Sequence, residues 1–174
     1  KRKAVKDEVY EYTGQEDVPK TVTHVKFHPS VVRLIERRHL ARTSPFGGCT
    51  DLKEVVLNDG LREIGDSAFR NCTTLKSINI PSTVTKIGYN AFGSCTGLKE
   101  LVFNEGLLTY IEGGAFRECK SLQSITIPSS VLEIGNNAFN SCRSLRKIVL
   151  SDGLKKLGNK AFLCCHSIQS ITIP

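Results

Sequence analysis

The sequence has no Met and no Trp, and no apolar run nears the about 18 residues that a membrane-spanning helix needs. A spanning helix is therefore excluded. The chain does not open on Met and is expected to be a fragment or processed piece. No signal-peptide pattern is visible either, because Lys1-Arg2-Lys3 is charged but no apolar stretch follows it. Catalytic signatures are missing too: there is no HExxH, GxSxG or kinase motif. Gly88 and Gly93 have the spacing of a phosphate loop, yet Ser94 stands where the phosphate-reaching Lys belongs. His24, His28, His39 and His166 are scattered, and Asp7-Glu8 do not suggest a glycosidase pair. Cys164-Cys165-His166 is the one dense trio, and Cys165 belongs to a repeated slot, so too few ligands remain for zinc. Lys160 stands near Cys164 in the sequence, as beside an activated thiol, but without a base or pocket an exposed turn cysteine is the simpler reading. Neither an enzyme nor a metal or other cofactor is expected.

What is present is the composition of a folded chain, 40% hydrophobic and 24% charged, far from a disordered balance. The net charge of +7 is uneven. Residues 1–45 hold ten Lys and Arg against six Asp and Glu, and Arg33, Arg37, Arg38, His39 and Arg42 form its sharpest cluster. A nucleic-acid contact there would call for interleaved aromatics to stack on bases, and none occur, so a solvated amphipathic insertion is preferred.

Phe followed three residues later by Cys recurs at Phe46/Cys49, Phe69/Cys72, Phe92/Cys95, Phe116/Cys119, Phe139/Cys142 and Phe162/Cys165. The Phe-to-Phe steps are 23, 23, 24, 23 and 23 residues. A fixed period in this range is the mark of a solenoid, in which each unit stacks only on its neighbours. Six of the seven Cys sit in one slot per unit, so they are expected to form a structural column of reduced thiols, packed as small hydrophobes, and not a disulfide framework.

Residues 1–21 match no repeat and are expected to be an irregular lead-in or cap. A repeat domain then spans 22–174: a degenerate first repeat at 22–51, regular repeats at 52–74, 75–97, 98–121, 122–144 and 145–167, and a truncated one at 168–174. The first repeat carries an insertion whose stretch Glu36 to Ala41 favours a helical turn. Each regular unit opens with apolar residues two apart, as in Ile78 and Ile80, which reads as a strand with one buried face. A second apolar pair, as in Val84 and Ile87, reads as a short strand, followed by a Gly turn and a helical or 3₁₀ turn over Ala-Phe-x-x-Cys. In the unit at 98–121 an extra residue falls within Gly106 to Ile111, expected to be a bulge, and Glu112 replaces the usual Gly. A second period doubles the first: residues 80–95 match 127–142 at 11 of 16 positions but match 57–72 at only 5.

The pattern L-x-x-I-x-I-P-x-x-V-x-x-I-G-x-x-A-F-x-x-C, as it runs from Leu75 to Cys95, resembles the BspA-like class of leucine-rich repeat across roughly Val22 to Pro174. The alternation of N-[DE]-G-L with I-P-S-[ST]-V is similar to diatom-type copies. The resemblance implies a right-handed solenoid with a parallel β-sheet along one side, and binding, not catalysis. It also implies kinship with surface or secreted adhesion proteins.

Strand alternation turns Ile78 and Ile80 inward and so turns Ser77 and Asn79 outward. The outward candidates for partner binding are Glu54, Val56, Ser77, Asn79, Glu100, Val102, Ser124, Thr126, Lys147 and Val149, beside a basic row of Lys53, Lys76, Lys99 and Arg146. Val and Thr columns also stabilise strand pairing, and edge Lys blocks aggregation, so the pattern has a purely structural reading as well. The expected partner is another protein, with nucleic acid disfavoured and self-association through an uncapped C-terminal repeat anticipated. The expected function is a non-enzymatic protein-binding scaffold, and the alternative is a cell-surface adhesion or ligand-binding module. Free cysteines and the missing leader lean toward an intracellular location, with the cell surface as the alternative.

Overall fold

The computed structural model describes residues 9–14, 18–34 and 44–173. Each unit is a triangle in section, and each of its three sides is hydrogen-bonded to the next unit by a different kind of backbone. The first side carries the longer strands β1 (Val9–Tyr12), β2 (His24–Phe27), β4 (Glu54–Val56), β6 (Ser77–Ile80), β8 (Glu100–Phe103), β10 (Ser124–Thr126), β12 (Lys147–Val149) and β14 (Ser170–Thr172). They pair in parallel as β1-β2-β4, β6-β8 and β10-β12-β14. The second side is one six-stranded parallel sheet of two-residue strands: β3 (Arg33–Leu34), β5 (Glu63–Ile64), β7 (Lys86–Ile87), β9 (Tyr110–Ile111), β11 (Glu133–Ile134) and β13 (Lys156–Leu157). The sheet expected on one side thus has a second sheet beside it.

The third side departs from expectation. Ala-Phe-x-x-Cys forms no helix or 3₁₀ turn; it is a ladder of tight turns. Ala68, Arg70 and Cys72 donate their amides three residues back, to Gly65, Ser67 and Phe69. The intervening amides point along the stack, with Ser67 N to Tyr89 O at 2.7 Å, Phe69 N to Ala91 O at 2.7 Å and Asn71 N to Gly93 O at 2.9 Å. Such alternation requires left-handed residues, and two recur in each of the five regular units, among them Ser67 and Asn71, Asn90 and Ser94, Asn137 and Ser141. A helix would spend every amide within the unit; this turn sends half of them to its neighbour.

The core fills the triangle with columns of one side chain type. Leu52, Leu75, Leu98, Leu122 and Leu145 are wholly buried, as are Phe46, Phe69, Phe92, Phe116 and Phe139. Successive Phe rings lie 5.1–5.4 Å apart from Phe46 to Phe162, with interplanar angles of 13° or less. Phe162 is only partly buried. Five of the six thiols in the column donate to the carbonyl of the preceding unit's Phe: Cys72 Sγ to Phe46 O at 3.1 Å, Cys95 to Phe69, Cys119 to Phe92, Cys142 to Phe116 and Cys165 to Phe139. The slot therefore favours a side chain that is small, apolar and able to donate weakly. All seven cysteines are free thiols.

Two further expectations are corrected. Residues 9–12, expected to be irregular lead-in or cap, are not irregular: they form β1, which pairs with β2 in register Val9↔His24 to Tyr12↔Phe27. Tyr12 is buried and prolongs the aromatic column, with its ring 5.0 Å from Phe46 and 5.1 Å from Phe27. The extra residue of the fourth unit is no strand bulge. It lies in the turn between β8 and β9, and both strands keep register with their neighbours, Ser77↔Glu100 and Lys86↔Tyr110. The helical turn expected over Glu36 to Ala41 falls outside the described residues.

Candidate binding face

The outward face of the longer strands is built by strand alternation alone. On β6 the pattern is exposed, buried, exposed, buried for Ser77, Ile78, Asn79 and Ile80. Glu54, Val56, Ser77, Asn79, Glu100, Val102, Ser124, Thr126 and Lys147 are exposed, and Val149 is half-buried. Register places them in two rows across the units. One row pairs Ser77 with Glu100 and Ser124 with Lys147; the other pairs Asn79 with Val102 and Thr126 with Val149. The first row changes from acidic at Glu54 and Glu100 to basic at Lys147. The second is a β-branched stripe interrupted at Asn79, with Val56 46% and Val102 52% exposed. Lys53, Lys76, Lys99 and Arg146 are exposed alongside. At the N-terminal end His24 Nε2 lies 3.9 Å from Glu54 Oε2.

One depression interrupts this face. Lys26 and Val56 at the sheet, Pro29 at one turn, and Asn58 to Gly60 at the next enclose about 440 Å³. Asn58 shapes its wall by donating its side-chain amide to His28 O and Val31 O, both at 2.9 Å. Sequence reasoning did not find this hollow, because it arises where a Pro-Ser turn and an Asn-Asp-Gly turn of different shape meet.

The two-residue strands present a different surface. Their outward column reads Arg33, Glu63, Lys86, Tyr110, Glu133, Lys156 in register, alternating in charge around a central Tyr. These charges are largely answered within the molecule. Arg33 Nε donates to Glu63 Oε2 at 2.8 Å, Lys86 Nζ lies 3.1 Å from Glu112 Oε1, and Lys156 Nζ lies 2.6 Å from Glu133 Oε1. The hydrogen bonds to Glu112 and Glu133 hold the pKa values of Lys86 and Lys156 above the usual Lys value. Glu112, the residue in the usual Gly slot, thereby has a partner.

The remaining singled-out residues are placed as follows. Arg33 is engaged with Glu63, while Arg37, Arg38, His39 and Arg42 lie outside the described residues. Cys165 is buried in the thiol column, Cys164 is a half-buried left-handed turn residue, and His166 is exposed. Among the described residues no group of three or more His, Cys, Asp or Glu is placed to hold a metal, and no helix is long and apolar enough to cross a membrane. Burial raises the thiol of Cys49 to a pKa of about 11 and pushes that of Cys119 up as well.

A family model described as "BspA type Leucine rich repeat region" matches residues 41–120 and 107–174, in six copies. Among solved structures, the leucine rich repeat protein of T. pallidum superposes with a TM-score of 0.65 at 24% identity, covering 92% of this chain and 77% of its own. That likeness shows the same solenoid fold. A leucine-rich repeat protein of Bacteroides ovatus matches with a TM-score of 0.48 at 21% identity, over 92% of this chain and 65% of its own. A leucine rich cell surface protein of Faecalibacterium prausnitzii matches with a TM-score of 0.45 at 23% identity, over 88% of this chain and 54% of its own. No curated protein sequence matches the chain.

Proposed function

The chain belongs to the BspA-type leucine-rich repeat family, and from that premise we propose that it is a non-enzymatic scaffold that binds another protein through the outward face of its longer strands. The observation that carries this reading is the exposed stripe of Val56, Val102 and Thr126 bordered by Glu54, Glu100 and Lys147. On the two-residue strands the charges are paired internally, so a partner would have to break existing contacts; the longer-strand face offers apolar area and charges together. The hollow at Val56 and Asn58 to Gly60 supplies a place for a partner side chain to anchor, as interface hot spots require. Each unit contributes little area, so affinity is built by engaging several units at once.

The test is an affinity pull-down with the intact protein, comparing wild type with the triple variant Glu54→Lys, Glu100→Lys, Lys147→Glu. Loss of the captured partner from the variant supports this face; equal capture by both proteins overturns it. The same face would serve a cell-surface adhesion module, the alternative implied by the repeat class. Protease treatment of intact cells separates the two, because only a surface protein is shaved. The thiol column does not favour either compartment: burial and the bonds to the Phe carbonyls account for free cysteines wherever the protein resides. The intracellular leaning is therefore withdrawn.

A further inference from the structure

The turn side carries two outward side chains per unit just before Ala-Phe. Along the stack they are Asp66 and Ser67, Tyr89 and Asn90, then Gly113 and Gly114, then Asn136 and Asn137, then Asn159 and Lys160. Two adjacent glycines thus interrupt an otherwise continuous row, in the same unit that carries the extra residue. The gap is an open notch of about 250 Å³, floored by Gly113 and Gly114, with Tyr89 and Asn90 on one wall, Asn136 and Asn137 on the other, and Arg117 at the rim. The Tyr89 ring leans over the floor: a Cβ on Gly113 would stand 2.9 Å from its Cε1. Even so the ring stays 55% exposed. Buried tyrosines in this chain pack into the core, as Tyr12 does; Tyr89 presents its ring to solvent over a backbone floor.

The amides opposite are held in place. Asn136 Oδ1 accepts from Asn159 N at 2.7 Å, and Asn137 Oδ1 accepts from Asn140 Nδ2 at 2.9 Å. Among the described residues no acceptor engages either NH2 group, so both remain donors at the wall. Arg117 Nε lies 3.3 Å from Glu118 Oε1, so the rim charge is compensated. An anion would want convergent unpaired cations, and a wholly apolar ligand would strip water from the amides without replacing it. A ligand with an apolar ring face and a rim of hydroxyls satisfies both walls. The volume is below the ~300–1,000 Å³ of drug-sized pockets, which suits one ring and not an extended chain.

We propose that this notch binds a single neutral pyranose residue, its C–H face on the Tyr89 ring and its hydroxyls on the Asn136 and Asn137 amides. The site is separate from the longer-strand face and does not depend on a protein partner there. The experiment titrates the 1–174 chain with methyl β-D-glucopyranoside, methyl β-D-galactopyranoside, methyl α-D-mannopyranoside and N-acetylglucosamine, followed by amide chemical shifts and saturation transfer. At least one sugar is expected to shift the Gly113, Gly114 and Asn137 amides with a Kd on the order of 1 mM. Tyr89→Ala is expected to weaken it at least ~10-fold. Gly114→Asn puts into the notch the residue that Asn90 and Asn137 place in the same left-handed slot, its Cβ displacing the Asn90 side-chain oxygen that would otherwise stand 2.4 Å away, and should weaken binding equally. Tyr110→Ala, on the neighbouring sheet, should leave it unchanged. Absence of shifts with all four sugars overturns the proposal, as does undiminished binding by a folded Tyr89→Ala variant. So does a salt-sensitive response to inorganic phosphate that Arg117→Ala abolishes and the sugars do not compete.

Discussion

The Phe-x-x-Cys pair divides its work between two kinds of contact. Phe92 is wholly buried and stacked between Phe69 and Phe116 at 5.1 and 5.2 Å, so Phe92→Ala removes ring contacts on both sides at once. Its expected cost is about 3–5 kcal/mol in denaturant unfolding. Cys95 contributes a smaller volume and one weak bond to Phe69 O at 3.0 Å, so Cys95→Ala should cost only about 1 kcal/mol. The thiols also set a pH dependence. In the unfolded chain they ionise near pH 8.5, whereas burial raises Cys49 to about 11 and Cys119 upward too. Above pH 8.5 the unfolded state therefore holds fewer protons than the native state, and stability falls as pH rises. Urea midpoints should decline between roughly pH 8.5 and 11 for Cys49's part, and the decline should be shallower in Cys49→Ala. A midpoint that rises over that window would contradict the burial of this column. Residue type was sufficient to locate the column, since Phe and Cys recur in fixed slots. The left-handed turns were not legible in the same way, because Glu118, Lys160 and Cys164 occupy them as well as Asn and Ser.

At the scale of the element, the doubled sequence period has a steric origin. A Cβ on Gly106 would stand 2.1 Å from Ser82 O, and one on Gly153 would stand 2.1 Å from Ser129 O. These two Gly turns thus settle onto the carbonyl of the Pro-Ser turn before them, whereas at Gly60 a Cβ would stand 3.5 Å from Pro29 O, in ordinary contact. Gly106→Ala should cost more than about 2 kcal/mol, well beyond the ordinary surface range of about 0.5 kcal/mol, as measured by thermal or urea unfolding. The strand positions were readable from alternation, with Ile78 and Ile80 in and Ser77 and Asn79 out. The site of the extra residue was not, because a one-residue excess fits a bulge or a longer turn equally well until strand register decides. Nor did alternation reveal the notch, which depends on side chains that are missing at Gly113 and Gly114 from a row visible only when units are stacked.

For the whole molecule, the last unit shows apolar side chains that earlier units cover. Ile171 is 49% and Leu157 48% exposed, whereas their counterparts Ile148 and Ile134 are wholly buried, and Ile173 is 73% exposed where its counterpart Leu150 is half-buried. The polypeptide of residues 1–174 is therefore expected to self-associate through β13 and β14, with a weight-average mass that rises with concentration in sedimentation equilibrium. Ile171→Lys with Ile173→Lys should restore a monomer, and a wild-type chain that stays monomeric at high concentration would remove this expectation.

The three hydrogen-bonded sides share one direction, since the ladders at Ser67, Phe69 and Asn71, the six-stranded sheet and the paired groups of longer strands all bond from unit to unit. A load applied along the stack does not shear the strands against each other; it opens their bonds one rung at a time. The molecule should then behave under tension as a zipper that yields at modest force and lengthens in equal steps. Each 23-residue unit would release roughly 70–80 Å of chain as it peels from its neighbour. Single-molecule extension should show a regular saw-tooth of that spacing, with the 24-residue unit as one slightly longer tooth.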